Sequence, residues 1–441
     1  MRKIYVESLG CAKNQVDSEI LLTYASENGY EMTSDPAEAD VIVVNTCAFI
    51  EDAKKESIDT VLSMRENHPK AKIILSGCLA QRYGSEMDFE EADAIFGNHD
   101  LSLFPEILRE TESNERPVEV PEYPDPDSER DQRSILLSRA ATAYLKISEG
   151  CNHCCSYCAI PIIRGPLRSR PFERVVSEAK RLIAEGVYEI SVIAQDLGAY
   201  GTDLYGKSRF TELMDALSSL DGDFVLRMLY IHPDTFPMDL LPLVREREKI
   251  LPYFDIPVQH AWPGILRAMG RTGSREIYLG LVDRIRETLP DAVIRTTIML
   301  GFPGECDESF AEVKRFIEEG RFDWMGSFTY SREEDTPAYR MRGKREHDKA
   351  HKLAVSYQKE LMELQNEISR DRMRRFVGNT YKAIIEEKIE GEELYFGRIY
   401  AQAPDVDGLT VISSSRELKA GDVVSVRILK SMDFDLDAVA L

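Results

Sequence analysis

Four of the eight cysteines fall within eight residues, in the run Gly150-Cys151-Asn152-His153-Cys154-Cys155-Ser156-Tyr157-Cys158. Cys151, Cys155 and Cys158 are spaced to hold three irons of a four-iron cluster, and a cluster held by only three thiolates keeps one iron open to an outside ligand. Cys154 lies outside that frame and reads as a bystander thiol, because no other choice of cysteines gives the same three-then-two interval. The competing reading is zinc, with His153 as a fourth ligand. Neighbouring His153, Cys154 and Cys155 cannot readily all turn toward one tetrahedral ion, and zinc sites usually draw on two separated pairs.

A second set stands at one structural phase: Cys11, Cys47 and Cys78 each follow a strand-like run, in Ser8-Leu9-Gly10-Cys11, Val44-Asn45-Thr46-Cys47 and Leu75-Ser76-Gly77-Cys78. Any one of them alone is most simply a buried small hydrophobe. In a parallel sheet, however, all strand C-termini share one edge, so cysteines 36 and 31 residues apart can converge there and hold a second cluster. Cys306 follows Gly-Phe-Pro-Gly-Glu, has no visible partner, and is assigned no role.

The elements that must position these thiols are legible in the apolar pattern. Up to about residue 110, short apolar runs (Ile4 to Leu9, Val41 to Val44, Ile73 to Leu75) alternate with helical patterns (Asp17 to Glu27, Glu51 to Arg65), which predicts an open parallel α/β sheet. A stretch with Pro117, Pro121, Pro124 and Pro126 among many acids lacks periodicity and reads as a linker. Six further strand candidates follow: Tyr144 to Ile147, Ile190 to Ala194, Val225 to Leu229, Phe254 to Val258, Ile294 to Leu300 and Met325 to Phe328. Six strand-helix units predict a partial (β/α)6 barrel with its site at the C-terminal strand ends. A closing helix is expected over Glu346 to Arg372, with Leu353, Val355, Leu361, Leu364 and Ile368 near helical spacing. The last seventy or so residues carry short strands at Tyr381 to Ile385, Leu394 to Ile399, Leu409 to Ile412 and Val423 to Ile428, which predicts a small antiparallel β-barrel. The expected divisions are therefore 1–115, a linker over 116–136, 137–372 and 373–441.

Composition narrows the class. With 43% hydrophobic and 30% charged residues the chain fits a soluble globular protein, and no apolar run approaches the roughly 20 residues that span a bilayer. The expectation is a cytoplasmic enzyme with no membrane partner, whose thiols are kept reduced and serve as metal ligands. A net charge of -22 opposes phosphate binding and favours a basic protein partner.

Taken together, these residues resemble the radical S-adenosylmethionine methylthiotransferase family along nearly the whole chain. Further matches are Tyr253-Phe254-Asp255-Ile256-Pro257-Val258-Gln259-His260, Arg267-Ala268-Met269-Gly270-Arg271 and Gly301-Phe302-Pro303-Gly304-Glu305. The resemblance implies two [4Fe-4S] clusters, one on Cys151, Cys155 and Cys158 and an auxiliary one on Cys11, Cys47 and Cys78. It also implies a central radical SAM core and a C-terminal TRAM-like barrel. The first cluster would bind S-adenosylmethionine and pass it an electron, giving a 5'-deoxyadenosyl radical; the auxiliary cluster would hold the transferred sulfur, and a second S-adenosylmethionine would supply the methyl group. An external electron donor and a sulfur source are implied as well. By the same resemblance Tyr157 would pack near adenine, Gln195 and Asp196 would line the cofactor or substrate cavity, and Gly301 and Gly304 would let the backbone approach the cofactor. Gln259 and His260 are weaker candidates.

The family divides between members that modify an adenosine of transfer RNA and members that modify an aspartate β-carbon of ribosomal protein S12. From Arg374 onward the chain holds nine Lys and Arg against twelve Asp and Glu, with acids at Glu386, Glu387, Glu390, Glu392, Glu393, Asp433, Asp435 and Asp437. An acidic module suits a basic protein, and Pro161-Ile162-Ile163-Arg164-Gly165 and Ser169-Arg170-Pro171 resemble the ribosomal-protein branch. That branch usually has a basic residue where Cys154 stands. S12 is thus the expected partner, and nucleic acid is not expected as the direct substrate. The alternative is a transfer RNA methylthiotransferase in which Arg164, Arg168 and Arg170 touch phosphates. A third reading, an electron-transfer or cluster-carrier protein, is disfavoured by the barrel and the Gly-Phe-Pro-Gly-Glu loop, which a carrier does not need.

Overall fold

A computed structural model describes residues 2–87, 89–123 and 133–441, which form two compact units. The first comprises Met1–Leu137, Ser148–Arg170 and Ser331–Tyr339. Its sheet is built from β1 (Arg2–Ser8), β2 (Tyr30–Met32), β3 (Val41–Thr46), β4 (Lys72–Gly77), β5 (Ala94–Phe96) and β6 (Val118–Glu119). The order is β2-β1-β3-β4-β5-β6, and every pairing is parallel. Val41, Ile42, Val43 and Val44 are all buried, as a strand covered on both faces requires. The helices that follow β1, β3 and β4 are α1 (Ala12–Glu27), α2 (Glu51–Asn67) and α3 (Cys78–Tyr83).

Residues 124–132 of the expected linker lie outside the described residues. Its described flanks are tied into the first unit. Val118–Glu119 is the edge strand β6, and Arg133 is buried in an ion pair with Glu19 of α1.

The chain enters the second unit at β7 (Thr142–Lys146) and returns to the first as β8 (Ser148–Glu149), paired antiparallel with β9 (Arg168–Ser169). The cysteine loop lies between β8 and β9, followed by one helical turn, Ile160–Ile163. Ala159 and Ile163 join the hydrophobic cluster formed by Ile42, Val44, Ile73, Leu75 and Leu79, so this loop shares the core of the N-terminal sheet. Fully burying side chains of that size contributes about 1.5–3 kcal/mol each.

The second unit comprises Ser138–Ile147, Pro171–Tyr330 and Arg340–Leu441. Its six parallel strands run β14-β13-β12-β11-β10-β7, with β10 (Glu189–Ile193), β11 (Val225–Leu229), β12 (Ile250–Gln259), β13 (Val293–Leu300) and β14 (Trp324–Thr329). The six strand candidates correspond to these strands. The helix Lys344–Met373 buries Ala354, Tyr357, Leu361 and Ile368, whereas Leu353 and Val355 are about half exposed. The inward stripe is thus set by the 3.6-residue period through Ala354, with Leu353 and Val355 falling to either side of it. The C-terminal closed barrel is β15 (Thr380–Lys388), β16 (Leu394–Ile399), β17 (Thr410–Ser413), β18 (Val423–Ser431) and β19 (Leu436–Ala440), in the order β15-β16-β17-β19-β18. Its pairings are antiparallel except β17 with β19, which closes the barrel in parallel. No helix among the described residues is long and apolar enough to cross a membrane.

Candidate functional site

β1, β3 and β4 are adjacent and parallel, so their C-terminal ends deliver Cys11, Cys47 and Cys78 to one edge of the sheet. Two glycines make the approach possible. Gly10 has φ +91°, and a Cβ there would lie 2.9 Å from Cys47 Cβ; Gly77 has φ +90°, and a Cβ would lie 2.2 Å from Asn45 Oδ1 and 2.7 Å from the Thr46 amide. Cys47 is held by its backbone, whose N–H donates to Ser57 Oγ at 3.0 Å while its carbonyl accepts from the same hydroxyl at 2.9 Å. Asn14 ties the edge together: its Nδ2 donates to the carbonyls of Leu9 (2.8 Å) and Thr46 (2.9 Å).

The surroundings of Cys78 are polar and closed. α1 buries Lys13, Asn14, Asp17, Ser18 and Glu19 along with its apolar residues, an arrangement that needs partners for every polar group. Arg164, just past the turn that follows the second cysteine loop, is one of those partners. Its Nη1 donates to Asp17 Oδ2 at 2.8 Å and Glu149 Oε2 at 2.9 Å, and its Nη2 donates to Asn14 Oδ1 and to Cys78 Sγ, the last at 3.5 Å. Asn98 Nδ2 also donates to Cys78 Sγ at 3.5 Å. Burial pushes the Cys78 thiol up to about 12, partly offset by the Arg164 charge, and burial raises Cys47 as well. Such thiols become thiolates only beside a strong positive charge, which a metal centre supplies.

In the second loop, Gly150 has φ +71°, and a Cβ would lie 2.0 Å from the Pro166 carbonyl oxygen, so the turn into Cys151 needs glycine. The Cys151 N–H donates to the Gly165 carbonyl at 3.2 Å. The sulfurs of Cys151 and Cys158 each accept a backbone N–H, from His153 and Ile160 respectively, both at 3.4 Å. Cys151, Cys155 and Cys158 are partly buried, whereas Cys154 and Cys306 are exposed. Among the described residues no three His, Cys, Asp or Glu side chains are grouped for a single metal ion. Two sets of three thiols, with glycines that permit the approach and N–H donors aimed at the sulfurs, fit iron-sulfur clusters.

The remaining candidates divide between the units. Tyr157 is buried within the first. In the second, Gln195 and Asp196 follow β10, and Gly301 and Gly304 follow β13, all at the C-terminal edge of the parallel sheet. The Asp196 carboxylate accepts N–H groups from Gly198 (2.9 Å) and His232 (3.0 Å) and the Thr235 hydroxyl (2.7 Å), which shapes the loop at that edge. Gly301 has φ +81°, and a Cβ would lie 2.6 Å from Ala354 Cβ, so it lets the helix Lys344–Met373 approach. Gly304 has φ +95° and more room. His260 is hydrogen-bonded, Nε2 to Glu305 Oε1 at 3.1 Å and Nδ1 accepting from the Trp262 N–H at 2.9 Å. Gln259 holds φ +70°, uncommon for a residue with a Cβ.

Arg164 and Arg170, offered as phosphate contacts in the transfer RNA reading, are only 3% and 5% exposed. The first is consumed by carboxylates inside the first unit. Asn14, Asp17 and Asn98 were not singled out from the sequence. For the first two the available signal was the polar run Lys13-Asn14-Gln15-Val16-Asp17-Ser18-Glu19 directly behind Cys11; for Asn98 there was none.

Three family models match the chain: Uncharacterized protein family UPF0004 over residues 3–97, the Radical SAM superfamily over 145–317 and the TRAM domain over 377–441. A protein of Treponema denticola named Ribosomal protein uS12 methylthiotransferase RimO is 41% identical, the alignment covering 98% of this chain and 99% of its own. A protein of the same name from Aquifex aeolicus is 43% identical, covering 98% and 96%. Among solved structures, the radical S-adenosylmethionine methyltransferase TsrM from Kitasatospora setae, with cobalamin and a [4Fe-4S] cluster bound, gives a TM-score of 0.56 at 14% identity, over 76% of this chain and 77% of that one. The cobalamin-dependent S-adenosylmethionine radical enzyme OxsB gives 0.51 at 12% identity, over 82% of this chain and 56% of that one. These two likenesses show the fold. The sequence relationships carry more, and on them the chain belongs to the family of ribosomal protein uS12 methylthiotransferases, transferases built on the radical SAM fold.

Proposed function

We propose that the protein adds a methylthio group to the β-carbon of an aspartate in ribosomal protein uS12, in the cytoplasm, using two S-adenosylmethionine molecules and sulfur from an auxiliary [4Fe-4S] cluster. The observation that carries this reading is the presence of two separate three-thiol sets within one compact unit, Cys11, Cys47 and Cys78 beside Cys151, Cys155 and Cys158. Bound there, the clusters would supply one-electron cleavage of S-adenosylmethionine and a store of sulfur. The chain's own residues do the rest. Gly10 and Gly77 let the strand ends close on one another, and Asn14 clamps two of those ends. Backbone N–H groups at Cys151 and Cys158 favour the thiolate form of those ligands. Tyr157, Gln195, Asp196, Gly301 and Gly304 are proposed to bind S-adenosylmethionine, Gly304 through its exposed backbone. The burial of Arg164 and Arg170 removes two cationic contacts on which the transfer RNA reading relied, and the acidic charge of the C-terminal module supports a basic partner.

The test is anaerobic reconstitution, an iron count, then incubation with reductant, a sulfide source, S-adenosylmethionine and recombinant uS12, followed by intact-protein mass. About eight irons per chain and a uS12 mass gain of one methylthio group support the reading. Unchanged uS12 with 5'-deoxyadenosine formed would move the substrate to transfer RNA. No cleavage of S-adenosylmethionine in fully loaded protein would leave a cluster carrier.

A further inference from the structure

Three thiols at one sheet edge need not be equivalent ligands, and here they are not. Cys11 is exposed and Cys47 is half-buried, whereas Cys78 is buried and faces three polar side chains at 3.5 Å: Asn14 Oδ1, Asn98 Nδ2 and Arg164 Nη2. As a thiol, Cys78 donates to Asn14. Once the proton is lost to a metal ligand bond, Asn98 and Arg164 remain as donors to the sulfur. The two donors are held differently. Arg164 is fixed by Asp17, Glu149 and Asn14. The Asn98 backbone N–H donates to Gln81 Oε1 at 2.9 Å, and its side-chain Oδ1 is buried with no partner among the described residues.

We propose that Arg164 and Asn98 are positioning residues that aim two N–H groups at Cys78 Sγ and thereby raise the reduction potential of the cluster held by Cys11, Cys47 and Cys78. The inference rests on the reading that these cysteines hold a cluster. Hydrogen bonds to a ligating sulfur draw electron density from it and favour the reduced cluster, and this is one of the levers by which proteins set such potentials. Arg164 has a second consequence. It follows Cys158 by six residues and binds Glu149, two residues before Cys151, while reaching Asp17 on the helix that Cys11 caps. One guanidinium therefore holds the scaffolds of both cysteine sets.

The experiment uses the full chain carrying Cys151→Ala, Cys155→Ala and Cys158→Ala, so that only the N-terminal set can load. After anaerobic reconstitution the midpoint potential of the cluster is measured by electron paramagnetic resonance against poised dyes, with Arg164→Lys and Asn98→Leu added singly. If the parent lacks about four irons per chain, the underlying reading fails before the inference is reached. With those irons present, a more negative potential in Arg164→Lys and in Asn98→Leu supports the inference. Potentials matching the parent in both variants overturn it. If Arg164→Lys loses its iron, Asn98→Leu decides alone. Loss of iron in both overturns it too, because the side chains would then be building the site rather than tuning it.

Discussion

At Cys47 and Cys78 burial opposes a bare thiolate, so each must either keep its proton or ligate a metal. Replacing Cys78 by Ser is expected to lower reconstituted iron from about eight to about four per chain while 5'-deoxyadenosine still forms, because the second loop keeps its own three thiols. Replacing Cys155 by Ala is expected to abolish 5'-deoxyadenosine. Replacing exposed Cys154 by Ala should leave both readouts unchanged; an iron deficit there would give that thiol a ligand role. Gly77→Ala tests the geometry without touching a sulfur. Its positive φ and the 2.2 Å approach to Asn45 Oδ1 predict a loss of about 1–3 kcal/mol in denaturant unfolding, together with poor cluster loading. Gly186, with φ +88° but nothing within 4 Å of a Cβ, is the control, since Ala there meets only the backbone cost of about 1 kcal/mol. The six cysteines proposed as ligands were legible in the sequence, three from their close spacing and three from their shared place after a strand-like run. Arg164 was not: its acceptor Asp17 is 147 residues away, and a buried cation reads in sequence like a surface one.

Among the elements, β10, β11 and β16 are joined by one buried ion network. Arg227 Nε lies 2.9 Å and Arg398 Nη1 3.1 Å from Glu189 Oε1, all three side chains being nearly inaccessible. Burial would raise the Glu189 carboxyl, but the two guanidinium groups outweigh it and hold the group at about 2. A carboxyl depressed in the folded state adds stability above its unfolded value of 4.5, and that stability drains away as pH falls from there toward about 2. Glu189→Gln should therefore unfold at lower denaturant at pH 7, by about 3–5 kcal/mol because two buried cations lose their partner. Its stability should also fall less steeply between about pH 5 and pH 3 than that of the unaltered protein; parallel acid limbs would show that the pair contributes nothing. The long parallel strands of this sheet were readable because apolar residues predominate in them. The strands missed were the three-residue β2 and β5, the two-residue β6, β8 and β9, and β19. In β19 Leu436 and Ala438 turn inward while Asp437 alternates outward, so a period of two was present beneath what reads as an acidic tail.

For the molecule as a whole, a net charge of -22 understates how little positive surface remains, because Arg133, Arg164, Arg227 and Arg398 are buried in ion pairs. The C-terminal acids are not uniformly available either. Glu386 is consumed by Arg398, and Asp435 accepts the Leu409 N–H at 2.8 Å. Glu387, Glu390, Glu392 and Glu393 are exposed and lie together on the β15–β16 hairpin. That hairpin is where a basic partner would feel the field. Opposite charges steer encounter more than they hold the complex, and salt screens them over about 10 Å at 0.1 M. Glu392→Lys with Glu393→Lys is therefore expected to slow association with uS12 about tenfold at low salt, with a much smaller change in dissociation. The difference from the unaltered protein should shrink as salt rises. Surface plasmon resonance across an ionic-strength series measures both rates. Equal association rates at every salt concentration would exclude this hairpin as the steering surface, while leaving the cluster chemistry proposed for the N-terminal unit untouched.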